Sequence, residues 1–175
     1  MNKRVVITGL GVVAPNGVGL AEFTNAIKNG ISGIKHDAEL ERLQFSCQIA
    51  GKPEISKEMQ LEYFTELELR NFNSSGILYG VIAGIDAWND AGLSTELNEN
   101  PDWDSGTIFG TGTSGIEKFR ESIYKIDDLQ TRRLGSTAVA QTMNSGISAY
   151  LGGKLGLGNQ VTTNSSACTT GTESI

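Results

Sequence analysis

Cys168 is the side chain whose setting in this sequence favours covalent chemistry. Val161, Thr162 and Thr163 precede it, β-branched residues that suit a pleated strand. Small residues follow, Ser165, Ser166 and Ala167. After the cysteine come Thr169, Thr170, Gly171 and Thr172, which read as the first turn of a helix. Cys168 is therefore expected at a strand-to-helix corner, at or near the helix N-terminus. Backbone N–H groups of a first helical turn have no intrahelical acceptor. They favour a thiolate over a thiol and can bind a developing oxyanion. Small neighbours leave room for an acyl group to reach the sulfur. The competing reading is a cysteine packed as a small hydrophobe.

Other chemistries find less support. The chain holds one histidine, His36, so a histidine-rich metal site is excluded, and Cys47 and Cys168 have no zinc-like spacing. His36 and Cys47 fall in a mixed, poorly periodic stretch from Lys35 to Lys57 and read as non-catalytic. Gly9-Leu10-Gly11 lacks the third glycine of a dinucleotide fingerprint, and Pro15 interrupts the helix start. Gly110-Thr111-Gly112-Thr113-Ser114-Gly115 has no lysine where a phosphate-binding loop needs one.

The elements that must position the cysteine follow from periodicity. Val5 to Ile7 reads as a buried strand, broken by Gly9 and Gly11 and closed by the turn Pro15-Asn16-Gly17. Leu20 to Lys28 reads as a helix with Phe23 and Ile27 on one face. A short strand is expected near Phe45–Ile49. Leu67 to Asn89 reads as one long helix with a stripe of Ile77, Val81, Ile85 and Trp88. Gly76, Gly80 and Gly84, four apart, predict close helix packing. Thr107 to Gly110 reads as a second buried strand, Ile116 to Ile126 as an amphipathic helix, and Val139 to Leu155 as another helix. With 175 residues, 38% of them hydrophobic and 19% charged, the chain reads as one globular α/β domain. The net charge of −6 argues against a general nucleic-acid binder. No apolar run is long enough for a bilayer, and the start lacks a secretory signal. Two cysteines suggest no disulfide framework, so a reduced, cytoplasmic setting is expected.

Several segments, taken together and in order, resemble the β-ketoacyl-acyl carrier protein synthases, condensing enzymes of the thiolase-like superfamily. The run Ser165 to Gly171 is similar to their nucleophile motif. Val5-x-Ile7-Thr8-Gly9-x-Gly11-x-Val13-x-Pro15-x-Gly17 is similar to their opening segment. Asn29-Gly30-Ile31-Ser32-Gly33-Ile34 and Asp90-Ala91-Gly92-Leu93 match as well. Gly110 to Gly115 stands where the family has a glycine-rich segment beside the nucleophile, with Ser114 replacing a usual glycine. Leu155-Gly156-Leu157-Gly158 matches a family turn, except that Gln160 stands at its proline position. The resemblance covers essentially all of residues 1–175.

The resemblance implies a thiolase-like α/β fold, in which 1–175 form the N-terminal βαβαβ half of a five-layer α-β-α-β-α architecture. It implies that Cys168 takes an acyl group and condenses it with malonyl-acyl carrier protein, releasing carbon dioxide, to give 3-oxoacyl-acyl carrier protein. Thr113 falls where the family presents a pocket side chain, and Thr142 is the candidate reaching a partner subunit's pocket. No cofactor is implied, since phosphopantetheine of acyl carrier protein delivers the acyl groups. The partners implied are acyl carrier protein, docking through Arg70, Arg132 and Arg133, and a second synthase subunit paired across Gln160 to Ser165. Neither nucleic acid nor membrane is implied as a partner. The family's two catalytic histidines lie in later His-Gly-Thr and Gly-Phe-Gly-Gly-His-Asn motifs, so the C-terminal half is expected to be absent from this chain. Two alternatives share the fold: a non-catalytic partner resembling a chain-length factor, which typically lacks the cysteine, and a thiolase-type acyltransferase.

Overall fold

The structure, a computed structural model, describes residues 4–175. Its first elements form a tight antiparallel hairpin, β1 (Val13–Ala14) and β2 (Gly17–Val18), turned by Pro15 and Asn16. Helix α1 (Leu20–Lys28) has the bounds its apolar spacing predicts. An excursion follows, with β3 (Ile34–His36), α2 (Ala38–Arg42) and β4 (Ile49–Gly51). The two strands pair antiparallel, His36 opposite Ile49, and Asp37 caps α2 by accepting from the N–H groups of Glu39 and Leu40. The strand expected near Phe45–Ile49 thus lies slightly later, and it has a partner that composition did not suggest.

Helices α3 (Lys57–Tyr63) and α4 (Glu66–Asn71) lead to α5 (Ser75–Asp90), the longest element. Strand β5 (Thr107–Gly110) is followed by α6 (Ile116–Asp127), a 3₁₀ turn (Thr131–Arg133), α7 (Ala138–Thr142) and α8 (Gly146–Leu155). Strand β6 (Val161–Asn164) closes a parallel pair with β5, Thr107 opposite Val161 and Gly110 opposite Asn164. A parallel pair needs a long crossover, and α6 to α8 supply it. After β6 come a 3₁₀ turn (Ala167–Thr169) and α9 (Thr170–Glu173).

The core lies between α5, α8 and β5. Ile77, Val81, Ile82, Ile147 and Leu151 are buried there. Truncating Ile82 to alanine should cost about 2–5 kcal/mol in lost transfer energy and cavity. The small-residue stripe on α5 does what its spacing predicts. A methyl at Gly80 would sit 2.4 Å from Ile147 Cγ2, and one at Gly84 would sit 2.4 Å from Leu151 Cδ2. The helices approach too closely for any side chain there.

Three sequence expectations are corrected. The helix expected over Leu67 to Asn89 is two helices, α4 and α5, separated at Phe72–Ser74. Gln141 Oε1 accepts from the N–H groups of Asn73 (2.8 Å) and Ser74 (3.0 Å), satisfying donors that a continuous helix would have used internally. The helix expected over Val139 to Leu155 breaks in the same way at Met143–Ser145, where Met143 is extended. The segment Val5 to Ile7 forms no strand and is exposed, Val5 at 94%. Gly9 and Gly11 just beyond it lie against the backbone of α5, where a Cβ would come within 2.2 Å of Ala87 O and 1.9 Å of Ala83 O. That approach carries the chain across a helix rather than along a strand ladder.

Candidate functional site

Cys168 occupies the corner its sequence context predicts. It is exposed, as is Cys47 in the β3–β4 excursion. The residue before it, Ala167, has φ 51°. This left-handed conformation costs an alanine about 1–2 kcal/mol and persists only where its surroundings impose it. The 3₁₀ turn uses the N–H of Thr169 on Ser166 O (3.2 Å) and the N–H of Thr170 on Ala167 O. The N–H of Cys168 itself is not spent in that pattern.

Side chains from both sides hold the corner. Thr170 is buried, and its hydroxyl oxygen accepts from the N–H of Ser166 (2.8 Å). The Glu173 carboxylate accepts from Asn164 Nδ2 (2.7 Å), from the Ser166 hydroxyl and from the Thr169 hydroxyl (3.0 Å). The Ser166, Asn164 and Thr169 bonds, in that order, hold the Glu173 carboxyl below the usual glutamate range.

The glycine-rich loop leaves β5 beside this corner. Thr111 N–H donates to Asn164 O (3.1 Å), continuing the ladder. A Cβ at Gly110 would come within 2.6 Å of Thr170 Cγ2, so the loop starts in contact with α9. At its other end Gly115, with φ 61°, faces Gln141, whose carbonyl oxygen would lie 1.9 Å from an added Cβ. Between them Asn144 donates to the carbonyls of Thr111 (3.3 Å) and Gly112 (3.2 Å). The fold thus gathers the Thr113 loop, the α7–α8 joint carrying Thr142, and the Cys168 corner around the ends of β5 and β6. Thr113 is exposed and its carbonyl accepts from the Thr111 hydroxyl (2.7 Å). The Thr142 hydroxyl donates back to Val139 O (2.9 Å) within its own helix.

The supporting residues Glu173, Asn144 and Gln141 do not stand out in the sequence as site residues. For Glu173 a signal exists: it lies four residues after Thr169 on a helix start, a spacing that brings side chains together. For Asn144 and Gln141 no local signal exists, because their partners are remote in sequence.

Two of the three arginines suggested for docking share one cleft. Arg70 and Arg133 line a cavity of about 310 Å³ with Lys118, Lys125 and Glu121. Lys125 (2.7 Å) and Lys118 (2.9 Å) pair with Glu121 and hold its carboxyl down at about 2. Arg132 does not line this cleft. His36 is on β3, with Nε2 3.4 Å from Glu41 Oε2. Among the described residues no cluster of three potential metal ligands occurs, and no helix is long and apolar enough to cross a membrane.

The family described as "Beta-ketoacyl synthase, N-terminal domain" matches residues 2–175. A 3-oxoacyl-[acyl-carrier-protein] synthase 2 of Staphylococcus aureus (strain COL) is 33% identical over 180 residues, covering 99% of this chain and 41% of that protein. The chain thus spans about two fifths of the length of such curated relatives. A crystal structure of a β-ketoacyl synthase from Burkholderia phymatum STM815 superposes with a TM-score of 0.75 at 22% identity, over 98% of this chain and 41% of that one. A ketosynthase bound to a hexaketide, in complex with a type II polyketide acyl-carrier protein, superposes with a TM-score of 0.73 at 25% identity, over 97% of this chain and 40% of that one.

Proposed function

This chain belongs to the β-ketoacyl synthase family, whose N-terminal domain it matches, and from that membership we propose that Cys168 is the acyl acceptor of a decarboxylative condensation. The Cys168 thiolate attacks the carbonyl of an acyl group carried as a phosphopantetheine thioester on acyl carrier protein. The pantetheine sulfur leaves as its thiolate, which takes a proton from water, and an acyl-cysteine thioester remains. A malonyl thioester on carrier protein then loses carbon dioxide. Its carbanion attacks the acyl carbonyl, expelling the Cys168 thiolate and giving 3-oxoacyl-acyl carrier protein.

The observation that carries this reading is the exposed Cys168 at a constrained strand-to-helix corner, beside a glycine-rich loop. The Cys168 N–H, unspent in the turn, supplies one donor to the tetrahedral oxyanion. Thr113, on the loop, is assigned to the acyl pocket, and Thr142 to the pocket of a second subunit. The side of β6 with which no other described strand pairs is where that subunit adds its strand. The enolate formed on decarboxylation needs cationic or hydrogen-bonding groups that this half does not bring to Cys168. We assign them to histidines of a second, C-terminal half, since the single histidine here is on β3. The reaction belongs to fatty-acid or polyketide elongation in the cytoplasm.

Acyl carrier protein is assigned to the cleft of Arg70 and Arg133, whose cations suit an acidic partner. Charge reversal at Arg133 should raise the KM for acyl carrier protein about tenfold while acylation by a small thioester is unchanged. Reversal at Arg132 should do less. Equal losses with both substrates would assign the arginines to the fold instead.

The decisive experiment follows the mass of Cys168-containing peptides after incubation with acyl carrier protein thioester. A protein comprising both halves should be acylated at Cys168 and should condense, and Cys168→Ala should do neither. The polypeptide 1–175 alone should release no carbon dioxide from malonyl carrier protein. Release by 1–175 would move the chemistry to His36 or to another group of this half.

A further inference from the structure

We infer that Glu173 is a positioning residue for Cys168, its carboxylate holding the strand end, the turn and the first residue after the cysteine in one arrangement. The inference rests on reading Cys168 as the acyl acceptor. Its three partners straddle the cysteine: Asn164 and Ser166 precede it, and Thr169 follows it. No cation pairs with Glu173 among the described residues, and all three partners are neutral donors on the corner itself. The carboxylate makes no bond to the sulfur, so it acts through the backbone.

Glu173 lies in the first turn of α9, where a carboxylate is favoured. Its side chain points back toward the start of the helix, as Cβ atoms of helices do, and so reaches Thr169 one turn earlier. What this reach secures is the conformation of Ala167. That residue has φ 51°, so the turn stores strain immediately before the nucleophile. The Ser166 hydroxyl is fixed on Glu173 and the Ser166 N–H on Thr170. The Thr169 hydroxyl, within reach of Glu173, also lies 2.9 Å from Ser166 O. With both flanks of Ala167 and Cys168 tied to one carboxylate, the strained turn has one stable arrangement. Loss of the carboxylate lets the turn relax and moves the sulfur away from the direction of attack. A displacement of about 1 Å at a reacting atom can cost roughly a hundredfold in rate.

The test compares Glu173→Ala and Glu173→Gln in a protein comprising both halves. Single-turnover acylation of Cys168 by a short acyl-pantetheine thioester is followed by intact mass, with iodoacetamide alkylation of Cys168 as a second readout. For Glu173→Ala the maximal acylation rate should fall about tenfold with KM unchanged and Tm within about 2 °C. Glu173→Gln keeps an acceptor oxygen for Ser166 and Asn164 and should recover the rate to within about threefold. The alkylation rate should shift by at least about threefold in Glu173→Ala and stay near wild type in Glu173→Gln. Wild-type rates in Glu173→Ala, equal losses in both variants, or a loss that tracks a fall in Tm would overturn the inference. If wild-type Cys168 is alkylated but never acylated, the proposed function fails by itself. The alkylation pattern of the two variants then decides whether Glu173 positions the cysteine.

Discussion

Glu117 and Glu173 are both carboxylates that collect neutral donors at a turn, and they differ in reach. Glu117, in the first turn of α6, accepts from the N–H (2.6 Å) and the hydroxyl (2.9 Å) of Ser75, 42 residues earlier at the start of α5. It joins two helices and closes the end of the glycine-rich loop onto the core. Glu173 collects donors no more than nine residues away and joins nothing beyond its own corner. The long-range clamp orders the tertiary structure, so its loss should register in stability. The short-range clamp orders one turn inside an already folded molecule, so its loss should register in the reactivity of Cys168. Electrostatics differ in the same sense. Partial burial pushes the Glu117 carboxyl up, but the bonds from the N–H of Ser75, its own N–H and the Ser75 hydroxyl outweigh this and leave it below its ordinary value. At Glu173 the three hydrogen bonds come first and burial is a minor opposing effect.

The largest effect that would sharpen this contrast is expected from Gly115→Ala. Gly115 starts the helix that carries Glu117, has φ 61°, and offers no room for a methyl, since Gln141 O would lie 1.9 Å away. Neither backbone can yield cheaply. A loss of about 3 kcal/mol or more is expected, read as a Tm lower by roughly 10 °C. A variant that melts like the wild type would mean that the loop is not seated on α7.

Glu117→Ala should have a smaller effect. It removes the acceptor of an N-terminal donor on α5, a change that costs about 1 kcal/mol, or roughly 4 °C in Tm. Alkylation of Cys168 should not change. If Glu117→Ala slowed Cys168 without lowering stability, the two clamps would not divide stability from reactivity.

The smallest effect is the acid dependence of the same clamp. The folded Glu117 carboxyl lies below its ordinary value of 4.5, so its ionised form stabilises the folded state. That contribution is present above pH 4.5 and is lost as pH falls through the lower folded value. In urea unfolding, wild type should therefore exceed Glu117→Gln by a margin at about pH 6 that narrows toward about pH 3. A margin that widened with acid would reverse the assigned sign.

The local elements were legible in the sequence because their causes are local. The apolar spacing of Phe23 and Ile27 and the turn at Gly30 bound α1, and the run Thr107 to Gly110 bounds β5 as observed. The glycines of α5 and the corner at Cys168 were legible for the same reason, since spacing and side-chain size decide them. Tertiary structure alone decided where the two long helical stretches break. Gln141 takes the N–H groups of residues 67 and 68 positions away, and Asn144 holds loop carbonyls 32 and 33 positions away. No periodicity within either helix encodes those partners. The cleft that unites Arg70 with Arg133, and the placement of Glu117 on Ser75, were decided in the same way. A hydrogen bond or a charge cluster between remote segments depends on where the chain returns, and only the packed fold determines that.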